Sequence, residues 1–118
     1  MEKMTNKEEE LMHCFWEKGA MFVRELVTIA PDPKPHFNTL STMVRSLEAK
    51  GYLAHEAFGN SYRYYPTMSE EEFSKRNLKN VITRYFENSY LDAVSALVQE
   101  EKISLSELKE LINRIEKQ

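Results

Sequence analysis

Apolar side chains recur at helical spacing in three successive segments of the first fifty residues. Capping and breaking residues delimit these segments: Thr5 and Glu8 form a capping box before the first, Pro31 ends the second, and Gly51 ends the third. The pattern therefore predicts three short helices, each with one buried face. The buried faces consist of Leu11, Met12, Phe15 and Trp16, of Val23, Leu26, Val27 and Ala30, and of Leu40, Met43, Val44 and Leu47.

After Gly51 the period changes from helical to extended. Residues 52–58 and 62–65 are rich in aromatic side chains, and Gly59-Asn60-Ser61 separates them. This pattern is typical of a β-hairpin with a short glycine-containing loop, and Pro66 ends its second strand. Three helices followed by a hairpin is the element order of a winged helix-turn-helix domain. We predict a mainly α protein with a small β-hairpin (α+β), in which this domain spans residues 1–67.

The last fifty residues carry amphipathic helical patterns and no further strand pattern. Capping boxes open two of these helices, at Ser69 with Glu72 and at Ser104 with Glu107. Because no sheet or larger core in this half would cover their apolar stripes, we predict that residues 68–118 form a helical dimerisation domain. The residues expected at its interface are Leu78, Val81, Ile82, Tyr85, Leu91, Val94, Leu97, Leu108, Leu111, Ile112 and Ile115.

The outward face of the third helix is the first candidate functional surface. With the apolar stripe turned inward, a step of about 100° per residue places small polar residues and one arginine outside. Such a face can enter the major groove of DNA, where hydroxyls bind phosphate or base edges and Arg or Asn pairs with a base. An ordinary solvated face would carry more Glu and Lys, so we favour a recognition helix. The predicted DNA-binding residues of this helix are Asn38, Thr39, Ser41, Thr42 and Arg45.

The hairpin is the second candidate surface. Asn60, Ser61 and Arg63 are placed to touch backbone phosphate at the tip of the wing, although a plain polar turn explains Asn60 equally well. Tyr62, Tyr64 and Tyr65 could stack on bases, but alternation along the strand favours cross-strand and core contacts for some of them.

Net charge qualifies the DNA-binding prediction. The chain carries a net charge of −3, which supports an alternative function as a winged-helix protein–protein interaction module without DNA binding. The charge is unevenly distributed, however, since residues 34–68 contain four basic and two acidic side chains. The position of charge governs DNA binding more than its total does. So small an excess indicates that two protomers are needed to hold DNA.

Enzyme, metal and membrane signals are weak. His13, His36 and His55 have no metal-binding spacing, the chain has no glycine-rich phosphate loop, and the single Cys14 cannot form an internal disulfide. We therefore expect no catalytic site, no metal and no small-molecule cofactor. No apolar run is long enough to cross a membrane and no signal peptide is recognisable, so we expect a cytoplasmic protein.

Several motifs together resemble the BlaI/MecI/CopY penicillinase-repressor family over nearly the whole chain. They are the Glu-x-x-Leu-Met and Phe-Trp residues within 10–16, the pattern Asn-Thr-x-x-Thr followed by Leu-x-x-Lys-Gly at 38–51, the hairpin ending at Tyr65-Pro66, and the segment 97–104. The resemblance implies a winged-helix domain, a C-terminal dimerisation domain, and repression by binding a palindromic operator. It also implies inactivation by a membrane-anchored sensor metalloprotease that cleaves the dimerisation domain.

Three departures from the family pattern change what the resemblance implies. The Asn-Phe pair that is often cleaved in penicillinase repressors is replaced by Ala96-Leu97. The cysteine cluster of the copper-responsive branch is missing, since no cysteine follows Cys14. The family's recognition helix usually has an arginine where Ser46 stands, whereas here Arg45 lies one position earlier, a shift of about 100° around the helix. We expect the operator sequence to differ accordingly.

Overall fold

The computed structural model describes residues 2–117. They fall into two compact units, the first ending at Phe73 and the second beginning at Ser74. Six helices and one small antiparallel sheet confirm the predicted α+β class. The predicted domain boundary between residues 67 and 68 stays a prediction. The elements are α1 (Asn6–Lys18), β1 (Met21–Phe22), α2 (Val23–Ile29), α3 (Phe37–Ala49), β2 (Leu53–Phe58), β3 (Ser61–Pro66), α4 (Glu70–Tyr85), α5 (Tyr90–Gln99) and α6 (Leu105–Glu116).

The sheet has three strands, one more than the sequence predicts. The order is β1–β3–β2, and β1 pairs with β3 through Met21 opposite Tyr64 and Phe22 opposite Arg63. A strand of two residues is too short to show an alternation of apolar and polar side chains. Only its pairing with β3 identifies β1 as a strand. The predicted hairpin is confirmed. Its β2 and β3 pair from Leu53 opposite Pro66 to Phe58 opposite Ser61.

The hairpin loop is shorter than predicted. Ser61 begins β3 and Pro66 is its last residue, which leaves Gly59 and Asn60 as the two loop residues. Gly59 has φ +60°, whereas Asn60 is not among the residues with positive φ. A positive φ at the first central residue alone is the type II′ pattern, whose twist matches that of the flanking strands. Glycine satisfies this requirement without the strain that a side chain would cause.

The core of the first unit lies between α1, α2, α3 and the sheet. The predicted stripes of the three helices supply most of it, and Leu53 and Tyr64 add the inward faces of β2 and β3. The side chains with under 2% exposure, or at that limit, are Phe15, Met12, Leu26, Leu40, Leu47, Leu53 and Val44. This packing sets the rotation of α3 about its own axis, because three of the seven belong to that helix.

Glu8 forms a polar link between α1 and α3. Glu8 is 4% exposed, and its carboxylate accepts hydrogen bonds from Lys50 Nζ at 2.6 Å and Ser46 Oγ at 2.9 Å. Glu8 Oε1 also accepts from the backbone N–H of Thr5, which completes the predicted capping box. Burial by itself raises the pKa of Glu8, but the bonds from Lys50, the Thr5 backbone and Ser46 together lower that pKa from 4.5 to about 2.

The beginning of α4 belongs to the first unit. Trp16 Nε1 donates a hydrogen bond to the carbonyl of Met68 at 3.0 Å, and its ring lies 5.3 Å from that of Phe73. Phe73 in turn contacts the buried Tyr52 edge-on, with a centroid distance of 6.1 Å. The segment after β3 is therefore packed onto the winged-helix core before α4 continues into the second unit.

The second unit consists of the rest of α4 with α5 and α6, as predicted from their amphipathic patterns. Ser89 and Ser104 cap α5 and α6 by accepting hydrogen bonds from backbone N–H groups. Within this unit's described residues, the buried hydrophobic side chains are Ile82 and Ala93, and α6 has no buried residue. In residues 2–117, none of the helices combines the length and apolar character that crossing a bilayer requires.

We expect Glu8→Ala to lower the free energy of unfolding by about 3 kcal/mol at pH 7, because it leaves Lys50 without its carboxylate in a mostly buried site. Urea unfolding at one fixed protein concentration measures this loss. Glu10→Ala removes an exposed carboxylate of the same helix, and we expect its effect to stay within about 0.5 kcal/mol. Equal losses in both variants would show that the network does not stabilise the fold.

The same carboxylate gives a pH dependence with a defined sign. Because the folded-state pKa of Glu8 is depressed, its stabilisation is fully present above pH 4.5 and is lost as pH falls towards about 2. The wild-type protein should therefore lose more stability between these pH values than Glu8→Ala does. Parallel pH profiles for the two proteins would contradict the role assigned to Glu8.

Candidate nucleic-acid interface

The outward face of α3 carries the five side chains predicted to bind DNA. Asn38, Thr39, Thr42 and Arg45 are exposed, and Ser41 is half-buried at one flank. Their arrangement follows from the inward stripe, since Leu40, Val44 and Leu47 are fully buried on the opposite side. The structure therefore brings these five residues together on one surface.

Arg45 extends along this surface towards the first turns of α3. Its Nε lies 3.3 Å from the carbonyl oxygen of Ser41, and its Nη2 lies 3.5 Å from Thr42 Oγ1. The Thr42 hydroxyl donates to the carbonyl of Asn38 at 3.0 Å. A guanidinium has five N–H donors, so these two contacts leave others that can donate to an external acceptor.

Ser46 lies on the other flank and faces α1. Its hydroxyl donates to Glu8, so position 46 is part of the buried link between the helices. The arginine that is usual in the resembled family stands at the position of Ser46, next to Glu8. In this chain the arginine is Arg45, about 100° around the helix, and it therefore lies on the exposed face of α3.

The N-terminal end of α3 is electrostatically distinct from the other helix starts. In the part of the chain that the structure describes, each of the other five helices has an acidic residue in its first turn, whereas α3 has none. Its N-cap residue, His36, makes no side-chain capping bond. The positive end of the helix dipole is therefore not offset by a carboxylate, which favours the approach of phosphate.

A groove of about 270 Å³ separates the exposed face of α3 from the hairpin. Its two cationic side chains are Arg24 and Arg45, and no carboxylate is among its lining residues. The Arg24 guanidinium lies 4.6 Å from the ring centroid of Phe22, a cation–π contact that holds the charge at the groove. The groove is lined by Phe22, Val23, Arg24, Phe37, Ser41, Arg45, Ser61, Tyr62 and Tyr64.

Sequence reasoning missed Arg24 and Phe37 at this groove. Phe37 could have been identified, because the helical period places it on the same flank of α3 as Ser41. Arg24 could not, because it lies in α2 directly after β1, and the pairing of β1 with β3 that brings this segment to the groove leaves no periodic signal.

The predicted wing residues occupy three different settings. Asn60 is exposed in the hairpin turn, whereas Ser61 lines the groove beside α3. Arg63 lies on β3 and pairs with Glu56 of β2. Because successive side chains of a strand point to opposite faces, Arg63 lies on the other face of β3 from the buried Tyr64. The structure thus brings Ser61 alone of the three into the groove.

A chain of side chains connects the hairpin to α3. His55 Nδ1 contacts the carboxylate of Glu48 on α3, and the His55 ring stacks on Tyr62 at a centroid distance of 4.3 Å. Tyr64 is 5% exposed, and its burial raises the pKa of its hydroxyl. The predicted core contact is confirmed for Tyr64 and the predicted cross-strand contact for Tyr62, whereas Tyr65 is 37% exposed. Tyr62 and Tyr64 also form the wall of the groove that faces α3.

Two solved structures share this fold. A transcriptional regulator from Thermotoga maritima superposes with a TM-score of 0.51 at 21% sequence identity, covering 93% of this chain and 77% of that chain. The Bordetella bronchiseptica protein BpsR, whose DNA binding is regulated by 6-hydroxynicotinic acid, superposes with a TM-score of 0.50 at 15% identity, covering 98% of this chain and 74% of that chain.

Sequence comparison extends the similarity to a family. The methicillin resistance regulatory protein MecI of Staphylococcus aureus strain N315 is 25% identical over 118 residues, covering 98% of this chain and 94% of that protein. MecI of Staphylococcus epidermidis matches with the same identity and coverage. The family profile described as penicillinase repressor matches residues 4–117. This chain therefore belongs to the penicillinase repressor family, whose members are DNA-binding transcriptional repressors and not enzymes.

Proposed function

We propose that this protein represses transcription in the bacterial cytoplasm as a homodimer bound to a palindromic operator. The observation that carries the proposal is the groove beside α3, which is lined by two arginines in a chain of net charge −3, with the carboxylates of Glu25 and Glu48 next to lining residues but not among them. Positive charge concentrated in one concave surface attracts the phosphate backbone even where the total charge is negative.

In this proposal α3 enters the major groove. Thr39, Thr42 and Arg45 face the base edges, with Asn38 and Ser41 beside them. Arginine reads guanine through paired bonds to O6 and N7, and asparagine reads adenine through N6 and N7. The small threonine and serine side chains allow the helix to approach closely. Supporting this arrangement, the predicted residues of α3 all lie on its outward or flanking surface.

The hairpin and the start of α2 contact the sugar–phosphate backbone. Asn60, Ser61 and Arg63 of the hairpin bind phosphates, and Arg24 adds a cation from the start of α2. Backbone contacts fix the register of a protein on DNA without reading its sequence. The His55 link between hairpin and α3 supports this division of roles, because it joins the two proposed contact surfaces.

The exposed apolar surface of the second unit supports a homodimer. Leu91 is 84% exposed and Tyr85 is 69% exposed, values that a soluble monomer rarely combines with a whole helix lacking buried residues. A second copy of the chain would cover these side chains and would present two recognition helices with two-fold symmetry to a palindrome, about one helical turn apart. The hydrophobic residues of this unit that are more than a third exposed are Leu78, Val81, Tyr85, Tyr90, Leu91, Val94, Leu97, Leu105, Leu111, Ile112 and Ile115.

Two predicted interface residues behave differently. Ile82 is 7% exposed within the single chain, so it already serves as a core residue. Leu108 is half-buried. We therefore centre the proposed dimer surface on the exposed residues of α5 and α6 and leave Ile82 out of it.

Proteolysis in the second unit is the proposed route of inactivation. Ala96 and Leu97 lie within α5, Ala96 half-buried and Leu97 exposed. A membrane-anchored metalloprotease would have to unwind this helix to reach the bond between them. Cleavage there would separate α6 from the rest of the dimer surface and so weaken operator binding.

We expect Arg45→Ala to weaken binding to operator DNA by about 1–3 kcal/mol and to relax sequence preference, because it removes a paired hydrogen bond to a base. Fluorescence anisotropy measures this on DNA from upstream of the protein's own gene, with a scrambled duplex beside it, at two salt concentrations. Arg24→Ala is the matched comparison. It removes the same charge from the α2 end of the groove lining and should weaken both duplexes equally, with a salt dependence shallower by about one unit.

Two results would contradict these roles. Equal loss on both duplexes for Arg45→Ala would assign Arg45 to phosphate contact. Weak binding of the wild-type protein to both duplexes, with no dependence on salt, would favour the alternative of a protein-interaction module.

We expect Ile112→Asp to convert the dimer to a monomer and to lower operator affinity at least tenfold, because a charge in the buried interface is costly and the two half-sites are then bound separately. Sedimentation equilibrium measures the assembly state. Asn113→Asp adds the same charge at the next position of α6 and should leave the dimer intact. The fluorescence of Trp16, the single tryptophan, reports that the first unit stays folded. A wild-type monomer at micromolar concentration would contradict the proposed dimer.

A further inference from the structure

Phe37 is an exposed aromatic side chain that the roles assigned above leave unused. It is the first residue of α3 and is 51% exposed, although phenylalanine is among the residues most often buried. Its ring lines the groove together with Ser41 and Arg45, both of which belong to the proposed DNA-binding face. An apolar ring therefore stands at the end of the helix that lies nearest to the base edges in helix-turn-helix complexes.

The surroundings of Phe37 favour a small apolar ligand group. The helical period places Phe37 and Ser41 on the flank of α3 that faces the hairpin, and Tyr62 and Tyr64 line the opposite wall of the groove. Arg24 and Arg45 are the groove's cations. A ligand group that enters the groove therefore contacts the Phe37 ring at the start of α3. The arginines can bind a phosphate next to that group. A thymine in the major groove supplies this combination, because its C5-methyl group projects beside the backbone.

We propose that Phe37 is a specificity residue that contacts the C5-methyl group of a thymine in each operator half-site. The inference rests on the proposed function, since it requires α3 to lie in the major groove. A phenylalanine ring has no hydrogen-bonding group, so the base feature that it can distinguish is this methyl group, which cytosine, adenine and guanine lack. Burial of one methyl group between the ring and the base corresponds to about a three- to tenfold change in affinity.

The experiment first obtains a bound sequence and then removes single methyl groups from it. Duplexes enriched from a random pool by the full-length wild-type protein provide the site. Each thymine in it is then replaced, one at a time, by deoxyuridine, which preserves base pairing and removes only the C5-methyl group. Anisotropy titrations compare wild type with Phe37→Ala, and with Phe37→Leu, which keeps an apolar group at the same place.

Phe58→Ala is the matched control. Phe58 is 50% exposed, almost as much as Phe37, but it lies at the end of β2 and does not line the groove, although its ring packs edge-on against groove residue Phe22 and its loss can weaken all duplexes alike. Its removal should leave the discrimination between thymine and deoxyuridine unchanged. Because Phe37 is exposed, its own replacement should not prevent folding, which thermal unfolding of each variant checks.

We expect one thymine per half-site at which deoxyuridine weakens wild-type binding three- to tenfold, with this difference lost in Phe37→Ala and partly kept in Phe37→Leu. The inference is overturned if no deoxyuridine substitution affects the wild type, or if Phe37→Ala discriminates as well as the wild type does. In both cases salt-sensitive binding to the selected site would still support the proposed function. Failure of the wild type to enrich any sequence would overturn the proposed function and this inference together.

Discussion

The rotation of α3 about its own axis is the constraint on which the rest of the candidate site depends. Burial of Leu40, Val44 and Leu47 in the common core determines which side of the helix faces inward. The hydrogen bond from Ser46 to the buried carboxylate of Glu8 fixes the same orientation with a directional contact. The burial of apolar side chains alone tolerates small rotations of the helix. Burial of a carboxylate, in contrast, destabilises the fold unless its hydrogen-bond donors stay in place. Together these interactions leave a definite set of polar side chains outside.

The groove depends on this rotation because both of its walls are attached to α3. One wall is the flank of the helix itself, and the other is the hairpin, which is joined to α3 through Glu48 and His55. The third strand, β1, adds Phe22 at its edge, and the start of α2 adds Arg24. The elements that line the groove all pack on one core, so the fold itself forms the groove, and such preorganisation reduces the cost of binding.

The second unit differs from the first in how few of its apolar side chains are buried. Its helices have well-formed caps and clear apolar stripes, yet few of these side chains are buried within the chain. Helices of ten to sixteen residues derive most of their stability from packing of the apolar face. Covering the apolar surface by a second chain would therefore stabilise the helices of this unit as well as the dimer. Cleavage within α5 would weaken both the folding of the unit and its assembly.

The sequence by itself determined the helices, the hairpin and the outward face of α3. These features depend on period, caps and glycine positions, which are local and can be counted along the chain, as at Thr5 and Glu8 or at Leu40 and Leu47. The family resemblance rests on the same local motifs. The tertiary structure decided the third strand, the place of Arg24 in the groove, and the contact of Ser46 with Glu8. These depend on pairing between residues far apart in the chain, and no period within one segment records which distant partner a side chain will meet.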